Sequence, residues 1–146
     1  WVPGENDAYL LANRLDNLVT LCSACHRRAE QQVAIDSTLT DLAYLLRYLI
    51  PLWVLCDPGD IGTHVEQGRR AQDDAMLYVY DRAPGGSGIS EALPPLVDAL
   101  LDAARERVAR CDCNAGCPSC IGPANSPQPE RKQRVISLLD GMRQRL

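Results

Sequence analysis

"CDCNAGCPSCIG", residues Cys111 to Gly122, places four cysteines within ten residues. Cys111, Cys113, Cys117 and Cys120 supply four soft ligands with no evident open position, the donor set of a closed, structural Zn²⁺ site. The "CPSCIG" end has the form of a zinc knuckle. Pro118 fixes one backbone angle there, and nearby glycines let N–H groups point at the thiolates and stabilise them. An iron–sulfur cluster is the rival occupant, since four cysteines also suit it. A disulfide scaffold is disfavoured: the chain has seven cysteines, an odd number, most of them in two tight clusters, and a Cys-x-Cys ring is strained. Clustered cysteines without a secretion signal point to metal in a reducing, cytoplasmic compartment.

The segments on either side read as helices that the metal would tie together. Upstream, Pro94 and Pro95 suit a first helical turn, and Leu96, Val97, Leu100, Leu101, Ala104 and Val108 line one face of a helix ending near Arg110. Downstream, a Pro/Asn/Ser loop leads to a last helix with Val135, Leu138, Leu139, Met142 and Leu146 on one face. Further upstream, Asp36-Ser37 offers an N-cap, after which Leu39, Leu42, Ala43, Leu46, Leu49 and Ile50 fall at helical spacing up to Pro51. "LWVLCD" then reads as a strand and "PGDIG" as a turn. "THVEQGRRAQDDAMLYVYDR" reads as strand, loop, strand, the second from Met76 to Asp81, and "APGGSGIS" is a glycine-rich turn. Short connections favour antiparallel pairing. The expected fold class is α+β: a small antiparallel sheet packed with three main helices, with a four-cysteine zinc knuckle between the last two.

The bulk numbers bound what such a chain can do. Its 146 residues suffice for one domain, or a compact domain with a small appendage. A chain beginning with Trp1 is expected to be a piece of a longer protein. The longest apolar stretch, Leu42 to Leu55, is interrupted by Arg47 and Pro51, so no membrane partner is expected. A net charge of −4 argues against an all-over basic nucleic-acid binder. Residues 1–100 carry 7 basic and 14 acidic side chains, whereas residues 101–146 carry 8 and 5. Four thiolates around Zn²⁺ make a −2 centre, so the basic tail either neutralises the metal site or faces DNA. Arg105, Arg107, Arg110, Arg131, Lys132 and Arg134 are the candidate phosphate contacts there.

A second candidate is "DRAPGGSG", since glycine-rich turns before helices expose N–H groups to anions, although such loops also serve as ordinary strand-to-helix turns. Cys56 reads as a small core residue, and His64 as a surface or hydrogen-bonded histidine. Trp53, Tyr78 and Tyr80 are either base-stacking residues or packing on alternate faces of the small sheet.

Three stretches, "PLWVLCDPGDIG", "YVYDRAPGGSGISEAL" and "CDCNAGCPSCIGP", resemble in order and spacing the carboxy-terminal module of superfamily 2 DEAD/DEAH-box DNA helicases of the mitomycin-repair (MrfA-like) type. The resemblance covers roughly residues 38–146. It implies that Cys111, Cys113, Cys117 and Cys120 are zinc ligands, and that Arg82, Gly85, Gly86 and Ser87 contact a DNA backbone. It also implies an accessory that braces a pair of RecA-like motor domains of the same chain and helps handle single-stranded DNA in repair or defence. No Gly-x-x-x-x-Gly-Lys-Ser/Thr and no Asp-Glu-x-His occurs in this sequence, so ATP and Mg²⁺ would belong to the motor alone.

"NLVTLCSACHRRAE", Asn17 to Glu30, is similar to the latter half of an HNH endonuclease motif. On that resemblance His26 would match a catalytic-metal ligand, and Cys22 and Cys25 half of a structural zinc site. The motif's first half should lie before Asn17, yet residues 1–16 contain no His and no Cys. The expected organisation is therefore a truncated HNH-like, zinc-binding segment over 1–35, followed by a helicase zinc-binding module over 36–146. The expected function is a zinc-binding accessory domain of an ATP-dependent DNA helicase, without an ATPase of its own and with a possible separate nuclease partner. Two other classes remain: part of a metal-dependent endonuclease, and a structural or partner-docking zinc domain without DNA binding.

Overall fold

In the first helix of the computed structural model, which describes residues 23–66, 75–123 and 128–143, Leu42 is completely enclosed. That helix, α1, runs unbroken from Ser23 to Leu49. The expected N-cap at Asp36-Ser37 is not there. Ser37 Oγ and Thr38 Oγ1 instead bond back to the carbonyl of Ala34, at 2.9 and 2.7 Å, so their side chains satisfy themselves within the helix and do not end it. Of the stripe that the leucine spacing predicted, Leu39, Leu42, Ala43 and Leu46 are buried and Leu49 is half-buried. Leu45, outside that spacing, is buried as well, and Ile50 continues the stripe into a 3-10 turn, Ile50–Leu52, seeded by Pro51.

"LWVLCD" is not a strand. The N–H groups of Trp53 and Val54 both turn back to the Ile50 carbonyl, and Leu55 sits at φ 37, a left-handed conformation incompatible with an extended run. The stretch has no neighbouring strand to pair with among the described residues, and Leu52 and Leu55 stay exposed. Apolar content alone does not make a strand when nothing satisfies the ladder.

The sheet consists of β1, Ile61–Glu66, and β2, Met76–Asp81, paired antiparallel from Ile61 opposite Asp81 to Glu66 opposite Met76. Its alternation is clean along β2: Leu77 and Val79 turn inward, Met76, Tyr78 and Tyr80 outward. A short helix α2, Ile89–Ala92, and a 3-10 turn over Pro94–Leu96 lead into α3, Val97–Arg110. Leu100, Leu101, Ala104 and Val108 of α3 are buried, as are Val135 and Leu139 of α4, Arg131–Arg143. Leu146 lies outside the described residues.

These elements share one core: Leu42, Ile50, Ile61, Val108, Ile121, Val135 and Leu139 are almost wholly shielded from solvent. Each such side chain contributes about 1.5–3 kcal/mol by burial. Cys120 and Ile121 are members of the same cluster, so the knuckle is not appended to the domain but is part of its interior. The architecture is α+β, with α1, α3 and α4 as the three main helices and the cysteines between the last two.

Candidate metal centre

Helix α3 ends by handing the chain to the first ligand candidate. Cys111 leaves helical geometry at φ −75 and ψ 126, an extended conformation that ends α3. The second pair sits in a tight turn: the N–H groups of Cys120 and Gly122 both donate to the Cys117 carbonyl at 3.0 Å. Gly122 is at φ 88, and a Cβ there would lie 3.2 Å from the Tyr44 ring, so both the backbone and the packing require glycine.

The four sulfurs converge. Cys111 Sγ is 3.5 Å from the Sγ of Cys113 and of Cys117, Cys113 Sγ is 3.5 Å from Cys120 Sγ, and Cys117 Sγ is 3.7 Å from Cys120 Sγ. All four lie within 4.8 Å of one another. A tetrahedron with Zn–S bonds of about 2.3 Å has edges of about 3.8 Å, so the cage has the size of a single zinc ion. An iron–sulfur cluster distributes its cysteines over different irons, which spreads the sulfurs more widely. The donor set and its dimensions fit zinc.

The thiols differ in their surroundings. The backbone N–H of Ser119, followed by the Cys111 thiol, pulls Cys117 down to about 7, whereas burial pushes Cys120 up to about 12. Burial also raises Cys113, with the Cys111 thiol adding to it. The Cys117 N–H donates to Cys120 Sγ at 3.3 Å, a backbone donor aimed at a ligand atom. A dication at the centre would favour the thiolate form of all four.

The basic residues around the cysteines are held by the protein itself. Arg131 makes a bidentate pair with Asp41 of α1, Nε to Oδ2 at 2.7 Å and Nη2 to Oδ1 at 2.6 Å, with side chains only 13% and 10% exposed. The same guanidinium donates to the carbonyls of Gly122 and Ile121 at 3.1 and 3.0 Å. Lys132 Nζ donates to the carbonyls of Cys111 and Cys113. The two cations therefore hold both halves of the cysteine loop at once. Tyr44 adds a third strut, its hydroxyl donating to the Pro118 carbonyl at 3.0 Å.

Of the other basic candidates, Arg105 pairs with Asp140 at 2.6 Å across α3 and α4, and Arg107 donates to the Ser119 carbonyl at 2.8 Å. Arg110 pairs with Glu106 on its own helix, and Arg134 with Gln128 and, more loosely, Glu130. Arg82, Gly85, Gly86 and Ser87 form a separate group beside the sheet. The N–H groups of Ser87 and Gly88 donate to Asp81 Oδ2 at 2.7 and 2.8 Å, and that of Ser90 to Oδ1 at 2.8 Å. The glycine loop thus folds around its own carboxylate. Desolvation pushes the Asp81 carboxyl up, but the amides of Ser90, Ser87 and Gly88 outweigh it and hold it below the usual carboxylate value.

Cys22 lies outside the described residues, and Cys25 and His26 fall within α1 with their side chains outside what is described. Cys56 packs partly buried against the core, as expected, and its thiol is raised by burial and then by Asp60, Asp57 and Asp81. His64 is exposed and stacks on Tyr78. Sequence reasoning missed Asp41, Tyr44 and Asp81. An acid immediately before a glycine-rich turn is the one signal that could have found Asp81.

The family model of the MrfA Zn-binding domain matches residues 42–121, from the core of α1 through the knuckle. The chain belongs to this family. As a MrfA Zn-binding domain it is 30% identical over 110 residues to the uncharacterized ATP-dependent helicase YprA of Bacillus subtilis, a match covering 74% of this chain and 14% of that one. It is 33% identical over 76 residues to the uncharacterized protein MJ1572.1 of Methanocaldococcus jannaschii, covering 50% of this chain and 68% of that protein. Among solved structures, the crystal structure of the DUF1998 helicase MrfA bound to DNA superposes with a TM-score of 0.69 at 27% identity, over 76% of this chain and 15% of that one. The chain thus spans about a seventh of the helicases it matches. The family and the four-cysteine cage both point to zinc. Among the described residues no helix is long and apolar enough to cross a membrane.

Proposed function

We propose that this chain is the zinc-binding accessory domain of an ATP-dependent DNA helicase, bracing the motor domains and contacting a single DNA strand. Cys111, Cys113, Cys117 and Cys120 would hold the ion. It supplies no bond-making chemistry there; it cross-links the end of α3 to the turn that precedes α4. Arg131 and Lys132 hold the backbone of a centre with a formal charge of −2; Asp41 offsets the charge of Arg131, so the two cations balance the centre only in part. The observation that carries the reading is the single-ion sulfur cage inside the stretch that matches the family. Support for DNA as partner comes from the MrfA relative, whose crystal structure was obtained bound to DNA.

The test is metal analysis joined to strand binding. The purified protein is expected to be colourless with one equivalent of zinc, and to bind single-stranded DNA at low salt with an affinity that falls as salt rises. Visible absorption of an iron–sulfur centre, or no binding to any DNA at low salt, would sink it.

A second reading, a structural or docking domain that touches no DNA, has its own support. Five of the six basic candidates around the knuckle pair with a residue of another element or loop of this chain; Arg110 pairs within its own helix. The binding assay separates the two.

A further inference from the structure

The outer face of the β1–β2 hairpin carries a row of exposed apolar and aromatic side chains. Met76, Tyr78 and Tyr80 of β2 are 50%, 39% and 46% exposed, in a protein whose inward residues pack to near completion. Their manner of exposure is specific. Gly62 stands opposite Tyr80 in the register, and a Cβ on Gly62 would lie 2.3 Å from the Tyr80 ring. The ring therefore occupies the space over β1 where a side chain would otherwise stand, and it remains 46% exposed. Beside it, Tyr78 is held by its hydroxyl, which donates to Glu66 at 2.9 Å, and by His64 opposite, whose ring lies 6.4 Å away at 25°. Both tyrosines are fixed in place without being covered.

The alternation of β2 carries the row one step further, to Arg82 just beyond the strand. Arg82 is exposed, and among the described residues its guanidinium has no ion pair or side-chain hydrogen bond. Residues two apart on a strand stand about 7 Å from one another. This is a step that unpaired bases of an extended strand can follow, and flat aromatic rings on a sheet are what such bases stack upon.

The geometry points to the hairpin's outer face as a stacking platform for the unpaired bases of a single nucleic-acid strand, with Tyr80 and Tyr78 each under one base and Arg82 on a phosphate. This assignment rests on the reading of the domain as a single-strand binder and puts that binding at the hairpin rather than at the basic residues around the knuckle. The loop from Asp81 to Ser90 contributes no phosphate cradle of its own, since its amides of Ser87, Gly88 and Ser90 are taken by Asp81.

The test compares a labelled oligodeoxythymidine with an abasic oligomer of the same phosphate count, by fluorescence anisotropy on the whole domain. The wild type is expected to prefer the oligodeoxythymidine. Tyr80→Ala and Tyr78→Ala should each weaken that preference about tenfold, the loss of one stacked base. Tyr80→Leu, which keeps apolar cover over Gly62 but has no ring face, should lose it equally, while Tyr80→Phe should retain it. Arg82→Ala should weaken both oligomers alike and flatten the salt dependence. If the wild type prefers the oligodeoxythymidine and the leucine and alanine variants prefer it just as strongly, the platform is refuted and the strand-binding function stands. If the wild type binds neither oligomer, both fall.

Discussion

The turn from Cys117 to Gly122 and the turn from Asp81 to Ser90 are made of the same materials: glycines in the left-handed region, and backbone N–H groups gathered around anionic atoms. They end in opposite states. In the glycine loop the anion is a carboxylate of the chain itself, three amides satisfy it, and nothing more is needed. In the knuckle the anions are thiolates from two turns, too many and too close to be balanced by N–H groups, and they require a cation. A loop that looks like an anion site in sequence can be closed by its own side chain, whereas a convergence of four thiolates is open to a ligand by its own repulsion.

The comparison breaks most forcefully at the metal. Chelation to completion, or Cys120→Ala, is expected to lower the melting temperature by roughly 10 °C or more, because the ion joins α3 to the turn before α4 and Cys120 is itself core. An unchanged melting curve in a verified metal-free sample would put the knuckle in the same self-sufficient class as the glycine loop.

Next in size is the clamp. Arg131→Ala leaves Asp41 as an unpaired, nearly buried carboxylate and orphans two knuckle carbonyls, and should cost about 3–5 kcal/mol in denaturant unfolding. It should also speed zinc loss to a competing chelator, a readout that a merely destabilised helix would not give.

Gly122→Ala is smaller. A side chain at φ 88 costs about 1–2 kcal/mol, and the Tyr44 ring must shift to admit it.

Asp81→Asn sharpens the other side of the contrast. Its effect should be local: faster amide exchange at Ser87, Gly88 and Ser90 with little change in global melting. Because the folded carboxyl lies below its ordinary value, its contribution is full above the unfolded pKa and is lost as pH falls through the lower folded one. Protection of those three amides should therefore persist down into the usual carboxylate range and collapse only below it, and the asparagine variant should lack that step.

What was readable in the sequence follows from what is local. The cysteine spacing, most of the leucine stripe of α1, the α3 face from Leu100 to Val108 and the strand from Met76 to Asp81 are short-range patterns that lie where the spacing placed them. Val97, expected on the α3 face, is instead exposed, and β1 begins at Ile61, inside the expected turn. "LWVLCD" misled because pairing, not composition, makes a strand, and no partner strand stands beside it among the described residues. The partners of the basic residues were illegible for a related reason. Arg131 beside a cysteine cluster looks free to meet a phosphate until Asp41 is known to face it, and no spacing rule connects those two positions. In the glycine loop the amides were visible and their acceptor was overlooked.

That distance has a kinetic side. The cysteines close a loop of ten residues, whereas the Arg131–Asp41 pair joins positions 90 apart. Closure entropy grows with loop length, so the short loop forms far more readily and the long one waits for the helices to meet. The nascent chain can therefore capture its ion while α1 is still undocked, and the clamp then records that the catch has been made.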